Sequence, residues 1–182
     1  MRKLLLVIIV IGVVLGYFAL RDETKENTPA ESTATTSDGF RPDFSNATFI
    51  FDEELVTLED GRREKELAPG SAIKEEIALT DFTAYGDINN DKKIDATVIF
   101  IQSGGGSGVF IYLAGYVSGP VTYKGTNAIF IGDRITPKSV SIDKQAITLN
   151  YLDRKPDEPF AAEPTVPTAK SFEYRDGILI EK

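Results

Sequence analysis

The stretch Gly86–Asp95 reads G-D-I-N-N-D-K-K-I-D and sets oxygen-bearing side chains at Asp87, Asn89, Asp91 and Asp95. In a tight loop that spacing turns the side chains toward one point, and Lys93 offers a backbone carbonyl between the last two. A hard cation such as calcium takes about six to eight oxygen ligands at about 2.3–2.6 Å. Asp87, Asn89, Asp91, Lys93 and Asp95 are therefore a candidate metal site, with calcium as the expected cofactor. Plain turn chemistry is the competing reading, because Asp and Asn bond their own backbone and tolerate left-handed conformations. Asp95 favours the metal. Core-type residues follow it, and an unpaired carboxylate entering such a strand is costly. Lys92 adds a positive charge, so the expected affinity is modest, roughly 10⁻⁴–10⁻³ M.

The other constellations carry less chemistry. Ser103–Gly108 (S-G-G-G-S-G) is rich in glycine, but a phosphate cradle needs a helix N-terminus after it, and a P-loop needs Lys-Ser/Thr. Here the strand-like run Val109–Leu113 follows, which predicts a hairpin. The chain has no histidine and no cysteine, so a serine nucleophile finds neither partner. Ser-Lys or carboxylate-only catalysis is what remains for an enzyme, and no catalytic residue is assigned. Ile131-Gly132-Asp133-Arg134 reads as an internal salt bridge or turn, with a ligand-reading arginine as the sharper alternative. The acidic pairs Glu53/Glu54, Glu75/Glu76 and Asp157/Glu158 read as solvated surface charge.

The elements that must position these residues are strands. Short runs rich in β-branched and aromatic residues recur between turn dipeptides. They are Ala47–Phe51, Leu55–Leu58, Arg62–Leu67, Ala96–Ile101, Val109–Tyr116, Val140–Ile142, Ala146–Leu152, Phe172–Tyr174 and Ile178–Ile180. Asp60-Gly61 and Asp176-Gly177 are hairpin signals. Ala96–Ile101 and Val109–Tyr116 are nearly continuous apolar runs, as expected of strands buried on both faces. Ser71–Phe82 is ambiguous between helix and strand, although Ile77–Tyr85 leans to strand. Pro156, Pro159, Pro164 and Pro167 predict an extended crossing incompatible with a strand. The expected fold is mainly β, a single antiparallel β-sandwich or partly closed barrel following an N-terminal transmembrane helix.

Arg2 and Lys3 precede the apolar run Leu4–Leu20, which is long enough, at the short end, to cross a bilayer. Positive charge ahead of the run places the remainder outside. A cleaved signal peptide competes with this reading, but the small-residue cleavage sites are poor. Expected organisation is a transmembrane signal anchor over 1–20, a disordered linker over 21–45 and an extracytoplasmic β domain over 46–182. The expected location is the cell membrane, with a single pass. The chain carries 20 basic and 28 acidic residues, a net charge of −8. Because all the acidic residues follow Arg21, the acidic excess is larger outside the membrane. That excess argues against nucleic acid or anionic lipid as a partner, because both need a basic footprint.

As a set, G-D-I-N-N-D-K-K-I-D-A (86–96), G-G-S-G-V-F-I-Y-L-A (105–114), G-D-R-I (132–135) and L-D-R-K-P-D-E-P-F-A-A-E-P-T (152–165) resemble a poorly characterised bacterial extracytoplasmic β domain. That domain occurs in predicted lipoproteins and membrane-anchored proteins, usually with G-D-x-N-G-D-G-x-x-D-A as its first motif. The resemblance implies a β domain and supports calcium; it brings no activity or substrate. The loop itself resembles the D-x-D-x-D-x-x-x-D calcium loops of FG-GAP blades more than an EF-hand, which needs Gly where Lys92 stands and Glu where Val98 stands. The expected function is a membrane-anchored envelope module for binding or structure, with the cell membrane as partner through the N-terminal helix. Its alternatives are a carboxylate-dependent surface hydrolase and an envelope inhibitor that binds a partner protein through a β edge.

Overall fold

The computed structural model describes residues 40–182. The anchor expected over 1–20 and the linker up to residue 39 lie outside the described residues. Among the described residues there are twelve strands and no helix. In chain order they are β1 (Thr48–Phe51), β2 (Glu54–Thr57), β3 (Arg62–Glu66), β4 (Lys74–Gly86), β5 (Asp95–Gly104), β6 (Val109–Ser118), β7 (Tyr123–Gly125), β8 (Ile129–Asp133), β9 (Thr136–Asp143), β10 (Ala146–Asp153), β11 (Val166–Arg175) and β12 (Ile178–Glu181).

Every strand-to-strand pairing is antiparallel. A six-stranded sheet runs β3-β4-β5-β6-β7, with β8 also on β6, and a four-stranded sheet runs β12-β11-β10-β9. The β1–β2 hairpin forms a small sheet of its own. The turns explain much of this order. Asp60 (φ 50°) and Gly61 (φ 82°), like Asp176 (φ 51°) and Gly177 (φ 93°), hold the paired left-handed conformation that matches strand twist in a two-residue hairpin.

Alternation along β5 and β6 serves two cores. Ile99, Ile111, Leu113 and Val117 pack with Ile147, Leu149 and Phe172 of the four-stranded sheet. Val98, Phe100, Tyr112 and Ala114 face the other way, under Phe49, Phe51 and Val56 of the β1–β2 hairpin. Phe49 and Phe100 meet edge to face at 4.9 Å, and each fully buried ring contributes about 1.5–3 kcal/mol. The central strands are thus covered on both faces, which is why their sequences are apolar at nearly every position.

Two expectations are corrected. Pro167 does not lie in a strand-free crossing: it sits inside β11, opposite Leu152 of β10. Strand β12 reaches only Phe172–Arg175, so the β11 edge beside Pro167 has no ladder on its other side and loses nothing by lacking an N–H. The ambiguous segment is the long strand β4, and its Glu75 and Glu76 are not free surface charge. Glu75 binds Arg63 at 3.1 Å and Gln102 at 2.9 Å, and Glu76 binds Arg62 at 3.1 Å. Strands β7, only three residues long, and β8, which ends at Gly132-Asp133, are additional to the runs read from the sequence. At the N-terminal end, Pro42 is buried and Phe44 packs beside Tyr85 and Tyr116, so packing begins ahead of Asn46.

Candidate functional site

The Asp loop joins β4 to β5. Gly86 and Asp95 are the last ladder pair of those strands, so the loop is closed at its base. Asn90 (φ 64°) and Lys92 (φ 68°) are left-handed, at the two positions where the family resemblance expects glycine. The backbone therefore takes the tight path, with Asn tolerating it and Lys held there at some strain.

Each predicted ligand has a definite place. Asp87 accepts the N–H of Asp91 through Oδ1 at 3.1 Å and that of Lys92 through Oδ2 at 2.8 Å. Asn89 Oδ1 also accepts the Asp91 N–H at 3.0 Å, while its Nδ2 donates to the Ser118 carbonyl at 2.9 Å. Asp91 Oδ1 accepts the Lys93 N–H at 2.9 Å, and its Oδ2 accepts the Ser118 hydroxyl at 2.6 Å. Asp95 is fully buried. Its Oδ2 takes the Ile88 N–H at 2.9 Å and its Oδ1 the Ser118 N–H at 2.8 Å. The carboxylate that looked costly at the start of a core strand is thus satisfied by two buried amides, one in its own loop and one at the end of β6.

Lys93 turns its ammonium away from the loop centre, to the Gly119 carbonyl at 3.0 Å, and stays 3.7 Å from Asp91 Oδ2. The Ser118 hydroxyl holds the Asp91 carboxyl below its ordinary value of 3.8, against burial, which pushes it up. Tyr123 donates its hydroxyl to the Ile94 carbonyl at 2.8 Å. Burial first, then the charges of Asp95 and Asp91, push that phenol up. Phe40 packs on Tyr123 at 6.0 Å and Tyr116 stacks on it at 5.3 Å, so the first described residues brace the same side of the loop.

Chemically, the loop offers ionised oxygens already aimed by hydrogen bonds. A carboxylate has about four acceptor positions, and Asp87, Asp91 and Asp95 each use two of them in these bonds. The donor type suits calcium. Even so, no three acidic side chains come together as a metal-holding group among the described residues. The oxygens point at amides and at Ser118 rather than at one centre.

Ser118 is the residue that sequence reasoning missed. It gives two of the loop's bonds, from its hydroxyl to Asp91 and its N–H to Asp95, and receives one from Asn89 at its carbonyl, yet stands more than twenty positions away and carries no motif. Only its place before Gly119-Pro120, a turn signal, was readable. The remaining features are structural. The glycine stretch joins β5 to β6 as a hairpin, held by Arg134 Nε donating to the Ser107 carbonyl at 2.8 Å. Arg134 also pairs with Asp133 at 3.6 Å. Arg154 donates to the carbonyls of Asp133, Arg134 and Ala162 at 3.0, 2.9 and 2.8 Å, which fastens the proline-rich crossing to that corner.

Compared with family models, with curated proteins and with solved structures, the chain finds no match.

Proposed function

We propose that this chain is a membrane-anchored envelope module, tethered through Leu4–Leu20, whose β domain serves binding or structure and whose Asp loop takes up calcium. The observation that carries the reading is the conformation of the loop. Asn90 and Lys92 hold left-handed backbone without glycine, and the oxygens of Asp87, Asn89 and Asp91 are fixed within the loop by the amides of residues 91–93. A loop with only turn duties has no need of three carboxylates within nine residues. Asp91 would have to share its Oδ2 between the ion and Ser118, and the Lys93 ammonium nearby competes with a cation. Both features agree with the modest affinity expected. Packing of the two large sheets through one shared core supports a sandwich as the architecture, and the motif set supports membership in the extracytoplasmic family it resembles.

A specific observation favours a partner protein as the binding target. Two sheet edges are blunted: β3 reads R-R-E-K-E and β9 carries Pro137 and Lys138. Strand β8 reads I-F-I-G-D and leaves Phe130 49% exposed beside Phe110. An apolar edge of this kind suits strand addition by a partner.

Two measurements test the proposal. Carbonate-washed membranes should retain the chain with Met1 intact, and protease added outside should remove the domain. Isothermal titration of the full chain should show one calcium ion bound at about 10⁻⁴–10⁻³ M, with the heat abolished by Asp91→Ala. Release by carbonate overturns the anchor, and absence of calcium heat overturns the ion.

A further inference from the structure

A cavity of about 610 Å³ opens at the end of the β6–β7 hairpin, and the groups that line it include Ile50, Val117, Ser118, Val121, Lys124 and Tyr174. Its volume falls in the range of small-molecule sites, about 300–1,000 Å³. The apolar walls come from separate parts of the fold: Ile50 from β1, Val117 from β6 and Tyr174 from β11. Among the lining residues is Val121, 96% exposed and the most exposed of the large apolar side chains described. A bare valine in the lining of an apolar cavity leaves surface in water that a ligand's hydrocarbon would cover.

Charge in the lining is simple. Lys124 is its one lysine or arginine, and the lining holds no aspartate or glutamate. None of the ion pairs among the described residues uses Lys124. In a domain with a large acidic excess, a lysine left without a carboxylate at the edge of an apolar cavity matches one negative charge on a ligand. Ser118 ties the cavity to the Asp loop. It lines one wall while its hydroxyl and amide are held by Asp91 and Asp95 at 2.6 and 2.8 Å.

From this arrangement we infer that the cavity binds an amphipathic monoanion, an acyl-chain carboxylate, with its chain against Val117, Val121 and Tyr174 and its head at Lys124. The inference rests on the reading of the domain as a binding module and adds to it a small-molecule site apart from the β8 edge.

The test uses the full chain in nanodiscs of zwitterionic lipid, titrated with dodecanoate carrying ¹³C at the carboxyl, with empty discs as the blank. A protein-bound carboxyl resonance should appear beyond the disc-partitioned signal. In Lys124→Ala the dissociation constant should weaken at least tenfold. Dodecanol, the same chain without the charge, should compete with dodecanoate at least tenfold less well than unlabelled dodecanoate does on the unsubstituted protein. Val121→Asp, at a site 96% exposed, should abolish the bound signal while leaving the urea midpoint where it is in the parent. A bound pool no larger than that of empty discs overturns the inference, and so does a Lys124→Ala variant that binds as the parent does. A chain that fails to enter the discs overturns the anchored reading alone. It is then titrated free in buffer, where the same resonance decides the ligand.

Discussion

Removing the Asp95 carboxylate should be the most damaging single change in the loop. Asp95 is fully buried and accepts two backbone N–H groups, from Ile88 at 2.9 Å and Ser118 at 2.8 Å. Hydrogen bonds to a charged group contribute about 1.5–3 kcal/mol each, and a buried donor left unsatisfied costs about 1–3 kcal/mol. Asp95→Ala strands both amides, so the expected loss is about 3–5 kcal/mol. Asp95→Asn keeps one acceptor but sets an NH₂ against the second amide, for a loss of about 2 kcal/mol. The chain has no tryptophan and seven tyrosines, so urea unfolding is followed by tyrosine fluorescence, to which Tyr116 and Tyr123 beside the loop contribute. With a urea slope of about 1–3 kcal/mol/M, the alanine variant should lower the midpoint by roughly 2 M. Losses under about 1 kcal/mol for alanine, or none for asparagine, would show that these amides find other partners and that Asp95 does not brace the loop.

Three further outcomes are expected. Ser118→Ala removes the hydroxyl that lowers the Asp91 carboxyl. A depressed carboxyl contributes stability above its unfolded value and loses it as pH falls through the folded one, so unfolding curves of parent and variant should differ at neutral pH and converge below about pH 4. Lys92→Gly relieves a left-handed lysine and should stabilise by about 0.5–1 kcal/mol in thermal unfolding; a loss would show that the lysine side chain is needed. Gly125→Ala places a Cβ 2.6 Å from the Phe49 ring and against the Thr48 carbonyl, and should destabilise by about 1–3 kcal/mol in urea.

Much of the fold was legible because the signals were local. Asp60-Gly61 and Asp176-Gly177 demand the left-handed pair they adopt, and the unbroken apolar runs of β5 and β6 announce burial on two faces. What stayed hidden was long-range. Glu75 and Glu76 read as solvent charge until Arg62 and Arg63 of β3 came alongside. The three residues of β7 carry no period that a pattern can register. At the loop, the acceptors Asp87, Asn89, Asp91 and Asp95 could be named from spacing, but the donor that organises them could not. Ser118 reaches them only because β5 pairs with β6 in a register that brings Ala96 opposite Tyr116.

The most direct test of the account is the thermal midpoint of the full chain in millimolar calcium against the same chain in chelator. Calcium at ten times the dissociation constant should add about 1.4 kcal/mol to the folded state, a rise of roughly 3–6 °C for a domain of this size. Asp91→Ala should show no such rise. A parent midpoint that does not move between calcium and chelator would contradict the calcium reading and leave the Asp loop as a hydrogen-bonded turn.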